Sequence, residues 1–176
     1  MKQALTIGLL SVIFVSWKSP TIELEKRTIL NDKVEVLIPK EFQIMSEEMM
    51  KAKYPSERRP TLVYSDKTGG INVAFNHTLN KATQQQIEPY KESLLLTFKN
   101  LYPSADWKSS GVKKINDKKV GYLELVTPAI DTKIYNLIFF TDLDGRLLLC
   151  TFNCVEGKQK DWAKAAQQIM NSLRVP

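Results

Sequence analysis

The sequence predicts an α+β fold: a central, mainly antiparallel sheet with helices packed on it. Three observations carry this. Strand-like segments lie on both sides of one helical stripe, in the order strands, helix, meander, helix. The last two strands are apolar at nearly every position, which predicts a sheet covered on both faces. At 176 residues, the chain suits one domain with a single sizeable core.

The first segment, residues 1–19, stands apart from that domain, which we assign to 20–176. Lys2 is followed by a nearly apolar run from Ala4 to Val15. The run is short of the ~20 residues that a spanning helix needs. It fits the apolar region of a secretory signal peptide. Ser16 or Ser19 could precede a cut, although Phe14 and Trp17 are large for the position two residues earlier. Left uncleaved, the run would be the chain's one route to membrane association. A buried N-terminal strand is the other alternative.

RTILNDKVEVLIPKEF reads as a hairpin. Asn31-Asp32 form the turn, Val34, Val36 and Ile38 alternate after it, and Pro39 ends the strand. Ser46 caps a short helix, SEEMMKAKY, with acids in its first turn. TLVYSD and GINVAFNHT are strands joined through Lys67-Thr68-Gly69-Gly70. Thr83 to Leu101 is helical, with Ile87, Tyr90, Leu94, Phe98 and Leu101 on one stripe. Thr83 with Gln86 predicts a capping box, and Pro89 suits an early helical position.

Four strands then meander: WKSSGVKKI, KVGYLELVT, TKIYNLIFFT and RLLLCTFNCV. Their turns fall at Asn116-Asp117, Pro128–Asp131 and Asp142–Gly145. A last helix, Gln159 to Leu173, places Trp162, Ala166, Ile169 and Leu173 on one face.

Several chemistries are excluded or unsupported. His77 is the only histidine, so a multi-histidine metal site or a Ser-His-Asp triad cannot form within one chain. Asp-Leu-Asp-Gly at 142–145 resembles part of a calcium loop. The first and twelfth ligand positions would then be Phe140 and Thr151, and neither supplies a carboxylate. The segment reads as a tight turn. No nucleotide fingerprint occurs. The net charge of +6 is scattered in singles and pairs such as Lys113-Lys114 and Lys118-Lys119, without the clustered face of a nucleic-acid binder. We expect no metal and no cofactor.

Cys150 and Cys154 lie four positions apart on one predicted strand, about 13 Å at ~3.3 Å per residue. A disulfide needs Cα atoms within about 7 Å. We therefore expect two free, buried thiols.

Two sets of residues are candidate sites. With tight, unbulged hairpins, Glu124 falls opposite Tyr135 and Tyr135 opposite Thr151, with Lys133 and Asn153 one step along the same face. This row is either the polar floor of a ligand groove or the wetter end of the sheet, where Glu124 pairs with Lys133. Arg58 and Arg59, between prolines, could meet a carboxylate or phosphate on a partner.

The strand with Ile38-Pro39 and Phe42, the midchain helix, the hairpin at Asn116-Asp117, the YLELV strand and the terminal IMNSLRV together resemble the PsbP/Mog-like superfamily, including bacterial DcrB-like proteins. The resemblance spans Arg27 to Val175. It implies an α/β/α sandwich and a non-enzymatic adaptor, and it brings no catalytic residues. The resulting expectation is an exported or envelope-associated binding protein with a protein partner or a small ligand. Two alternatives stay open: a cytoplasmic chaperone for a secreted effector, and a hydrolase or lyase using Glu124 and Tyr135.

Overall fold

Two-residue turns set the meander. The computed structural model describes residues 21–56 and 59–176. From Asp106 onward the chain forms β6 (Asp106–Ile115), β7 (Lys118–Pro128), β8 (Lys133–Leu143) and β9 (Arg146–Val155), preceded by β1 (Leu24–Ile29), β2 (Val34–Pro39), β3 (Gln43–Ile44), β4 (Leu62–Ser65) and β5 (Asn72–Lys81). Asn116 and Asp117 have φ of 46° and 71°, and Asp144 and Gly145 have 52° and 72°. Both pairs are the left-handed turns that match strand twist and favour Asn, Asp and Gly.

The main sheet has seven strands in the order β3-β4-β5-β9-β8-β7-β6, and each neighbouring pair is antiparallel. β9 is central, as its apolar sequence predicts. β5 closes the sheet against it from far away in the chain, with Val73 opposite Phe152 and Phe75 opposite Cys150.

β1 and β2 form a separate two-stranded ribbon. Its turn differs from the other Asn-Asp-Lys turn, because Leu30, Asn31 and Asp32 all have positive φ (54°, 57° and 63°). Lys33 Nζ pairs with Asp144 Oδ2 at 2.6 Å, fastening this turn to the β8–β9 turn.

The three helices are α1 (Glu47–Lys53), α2 (Ile87–Leu101) and α3 (Gln159–Ser172). Ser46 caps α1 by accepting from Met49 N at 3.2 Å. The predicted capping box at α2 does not form. Thr83 Oγ1 instead donates to the Gln86 side chain at 3.3 Å, because a 3-10 turn at Gln84–Gln86 precedes the helix. Pro89 lies in the first turn of α2, where a missing N–H is tolerated.

One face of the sheet carries α3 and the ribbon. Ala166, Ile169, Met170 and Leu173 pack there with Val34, Val36 and Ile38. Leu37 N donates to Ser172 Oγ at 2.8 Å, and Glu35 exchanges backbone hydrogen bonds with Arg174. The other face carries α1 over Val63 and Ala74, and α2 over Leu123, Leu125 and Ile138.

Helices therefore lie on both faces, but β9 is not fully covered on both. Cys150, Phe152 and Cys154 are buried towards α3, while Leu149, Thr151, Asn153 and Val155 are half-buried on the other face. The reason is spacing: α1 sits over β4–β5 and α2 over β6–β8, leaving the middle of that face partly open.

Gly121 pairs with Phe140, whose ring lies over it, and a Cβ there would stand 2.3 Å from Phe140 Cζ. Gly121→Ala is expected to destabilise the fold by about 1–3 kcal/mol through overpacking. The denaturation midpoint reads this directly, and an unchanged midpoint would contradict the packing described.

Candidate functional site

Glu124 and Tyr135 do meet, although not as directly opposed residues. Glu124 pairs with Leu137 and Tyr135 with Val126, because the β7–β8 loop runs Ala129–Thr132 and Pro128 already pairs with Lys133. The shift is two residues, so both side chains keep the same face. Tyr135 is fully buried, and its hydroxyl donates to Glu124 Oε1 at 2.8 Å. Glu124 Oε2 accepts from Ser109 Oγ of β6 at 2.7 Å and from Gln167 Nε2 of α3 at 3.3 Å. Both carboxylate oxygens are thus engaged, and the group ties β6, β7, β8 and α3 together.

This arrangement is a latch. The Tyr135 hydroxyl is held well above the usual phenol range, by burial first and by its bond to Glu124 second. The Tyr135 hydroxyl therefore stays protonated as a hydrogen-bond donor to Glu124. Lys133 does not pair with Glu124. It lies 4.0 Å from Glu156, beyond the end of β9.

The other two residues of the predicted row fall on the opposite face. Tyr135 pairs with Cys154, and Thr151 with Ile138. The β8–β9 turn is only Asp144-Gly145, so Leu143 and Arg146 already pair. Against the expected Tyr135–Thr151 pairing the register stands three residues away, two of them from the shorter turn, and the odd total places Thr151 and Asn153 on the face opposite Tyr135.

Asn153 there joins residues that the sequence reading did not select. Asn72 is fully buried and donates from Nδ2 to Asn153 Oδ1 at 2.8 Å and to Gly69 O at 3.3 Å. Tyr54 OH donates to Asn72 Oδ1 at 3.3 Å, and Lys53 Nζ reaches Gly69 O at 2.5 Å. Burial lowers the Lys53 ammonium from its ordinary range, opposed by the Asp66 charge. Asn136 pairs with Asn153 across β8–β9 and donates to Thr127 Oγ1 at 3.1 Å. A signal was present in the sequence: asparagine is depleted in strands, yet it interrupts GINVAF, YNLIFF and TFNC.

Arg59 is half-buried, and its Nε donates to Tyr54 O at 3.0 Å, so this part of its guanidinium braces a loop. Arg58 lies outside the described residues. His77 is half-buried with Nε2 3.0 Å from Leu143 O. Cys150 and Cys154 are free and buried, as expected. Burial raises both thiols, Cys154 to about 11 despite Lys158, so neither is a reactive thiolate. A groove of about 580 Å³ also runs between the ribbon and α3, with Leu24, Leu37 and Ala165 beneath Lys160 and Lys164.

No protein-family model and no curated protein matches the chain. Solved structures do match. The solution structure of PsbP from the cyanobacterium Synechocystis sp. PCC 6803 superposes with a TM-score of 0.62 at 14% identity, over 96% of this chain and 99% of that one. The chain is similar in fold to cyanobacterial PsbP. LpqN of Mycobacterium tuberculosis, described as involved in cell envelope biogenesis, gives 0.52 at 9% identity over 81% and 83%. A Pseudomonas aeruginosa protein of unknown function gives 0.50 at 12%, over 87% and 96%. At these identities the likeness is one of fold, and at that level it bears out the PsbP side of the predicted resemblance.

Two outcomes follow. Glu124→Ala leaves a buried phenol without its acceptor and is expected to cost about 1–3 kcal/mol, part of which Tyr135→Phe in the same chain recovers. A double-mutant cycle with simple additivity would contradict the latch. The second outcome concerns alkaline pH. Tyr135, Cys150 and Cys154 hold their protons more tightly folded than unfolded. Stability from this source is complete below the unfolded values, about 9 for a thiol and about 10 for a phenol, and falls as pH rises above them towards the folded values. Urea midpoints measured between pH 7 and pH 11 are expected to fall only in the upper part of that range, and less steeply in Tyr135→Phe.

Proposed function

We propose that this chain is a non-catalytic, exported or envelope-associated binding protein that works through a surface. The observation that carries this is the half-open middle of the sheet. Central strands normally lie under helices, yet Leu149, Thr151, Asn153 and Val155 on β9 stay half-buried between α1 and α2. Their backbone is held on both sides by the sheet, so the side chains sit on a rigid floor, as binding residues require. The nearby carboxylate that could have suggested a reaction is committed to Ser109, Tyr135 and Gln167.

Export is supported by the apolar run Ala4–Val15 behind Lys2, and by the likeness in fold to an envelope-biogenesis protein. Unpaired cysteines are unusual in an oxidising compartment, but these two are buried and their thiols are raised, so they can persist there.

N-terminal sequencing of the protein isolated from fractionated host cells tests the location. The expected result is a chain in the envelope fraction that starts after Ser16 or Ser19. An intact Met1 chain found only in cytosol would overturn it. For the surface, Thr151→Arg is expected to abolish retention of the native partner while leaving the melting temperature unchanged. Retention at the wild-type level would place the binding surface elsewhere.

A further inference from the structure

The groove between the ribbon and α3 has a volume of about 580 Å³. Small-molecule sites span about 300–1,000 Å³. Strand alternation builds one wall. Val34, Val36 and Ile38 turn into the core, so Leu37 points out of the ribbon's other face. Leu37 lies opposite Lys26, and Leu24 sits two residues before Lys26, so both leucines share that face. Ile22, Leu24 and Leu37 line the groove and stay half-buried. Among the described residues, Ile22 and Leu37 join none of the buried apolar clusters. They are an apolar strip that faces the groove.

Helical periodicity builds the other wall. Lys160, Lys164 and Gln168 recur every four residues along α3, with Ala165 buried beside them. Among the described residues, neither Lys160 nor Lys164 has a carboxylate partner. By contrast Lys26 pairs with Glu35, Lys33 with Asp144 and Lys40 with Glu23. Asp161 lines the same wall and is likewise unpaired, so the groove carries one positive charge in excess.

A ligand that matches both walls has an apolar chain for the ribbon and one negative charge for the helix. A carboxylate carries that single charge, whereas a phosphate monoester carries about −1.5 to −2. An extended peptide added to a sheet is held through a free strand edge. On the α3 side that edge is taken. Glu35 bonds Arg174 through its N and O, and Leu37 N donates to Ser172 Oγ.

We propose that this groove binds a long-chain carboxylic acid, with its chain along Ile22, Leu24 and Leu37 and its carboxylate at Lys160 and Lys164. The site is on the α3 face of the sheet. It goes beyond the binding-surface reading above and does not rest on it.

The test is calorimetric titration of the full chain with three probes below their micelle concentrations: dodecanoate, octanoate and dodecyltrimethylammonium. The expected result is saturable binding of dodecanoate, about tenfold or more tighter than octanoate, because four more methylenes leave water. Dodecyltrimethylammonium has the same chain and the opposite charge, and it should bind more weakly than dodecanoate. Methyl NMR signals of Leu24 and Leu37 should shift with dodecanoate, which locates the site. Lys160→Ala combined with Lys164→Ala should weaken dodecanoate by about fivefold, the scale of two exposed charge contacts. Lys67→Ala combined with Lys81→Ala removes two exposed lysines elsewhere and should leave affinity unchanged. Absence of dodecanoate binding, or shifts confined to other methyls, would overturn the proposal. So would equal binding of the cationic probe, or an unchanged affinity in the Lys160 and Lys164 double variant.

Discussion

An aromatic column through the α3 face of the sheet connects most of the fold. Phe42 stacks on Trp162 at 5.5 Å between ring centres, Trp162 stacks on Phe152 at 5.9 Å, and Phe152 meets the edge of Tyr135 at 6.3 Å. These rings come from the segment after the ribbon, from α3, from β9 and from β8. Tyr135 then passes the connection to Glu124, which holds β6 and α3. Stacked and edge-on rings contribute beyond their buried area, and the polar end of the column is fully satisfied. The column thus unites elements that are far apart in the chain.

The column also commits the Glu124 carboxylate to structural contacts. Both Glu124 oxygens accept hydrogen bonds, and its phenol partner is fully buried. The four rings of the column and the rest of α3 close one side of the central strand. On the other side, α1 and α2 cover the margins and leave the β9 side chains half-buried. Packing over β9 is thus tighter on the α3 face than on the other.

Much of this was legible in the sequence, and the reasons differ by element. Period-two alternation identified the ribbon strand with Val34, Val36 and Ile38, and period 3.6 identified α3 through Ala166, Ile169 and Leu173. Asn116-Asp117 and Asp144-Gly145 marked turns because few residues tolerate positive φ. The run LLLCTFNC identified the central strand, and four steps along it separated the cysteines too far for a disulfide. These are local properties, so the sequence alone determines them.

Register, strand order and coverage were decided only by the tertiary structure. The register of β9 against β8 stands three residues from the expected pairing, and this odd displacement places Thr151 and Asn153 on the far face. Whether β5 or another strand would pair with β9 depends on contacts between distant segments, which no local pattern encodes. The neighbours of Glu124 came likewise from β6 and α3, fifteen and forty-three positions away. Residue type therefore determined that strands, helices and turns form here. Packing between distant elements determined that Glu124 became a latch and that Asn153 lies half-buried on the opposite face.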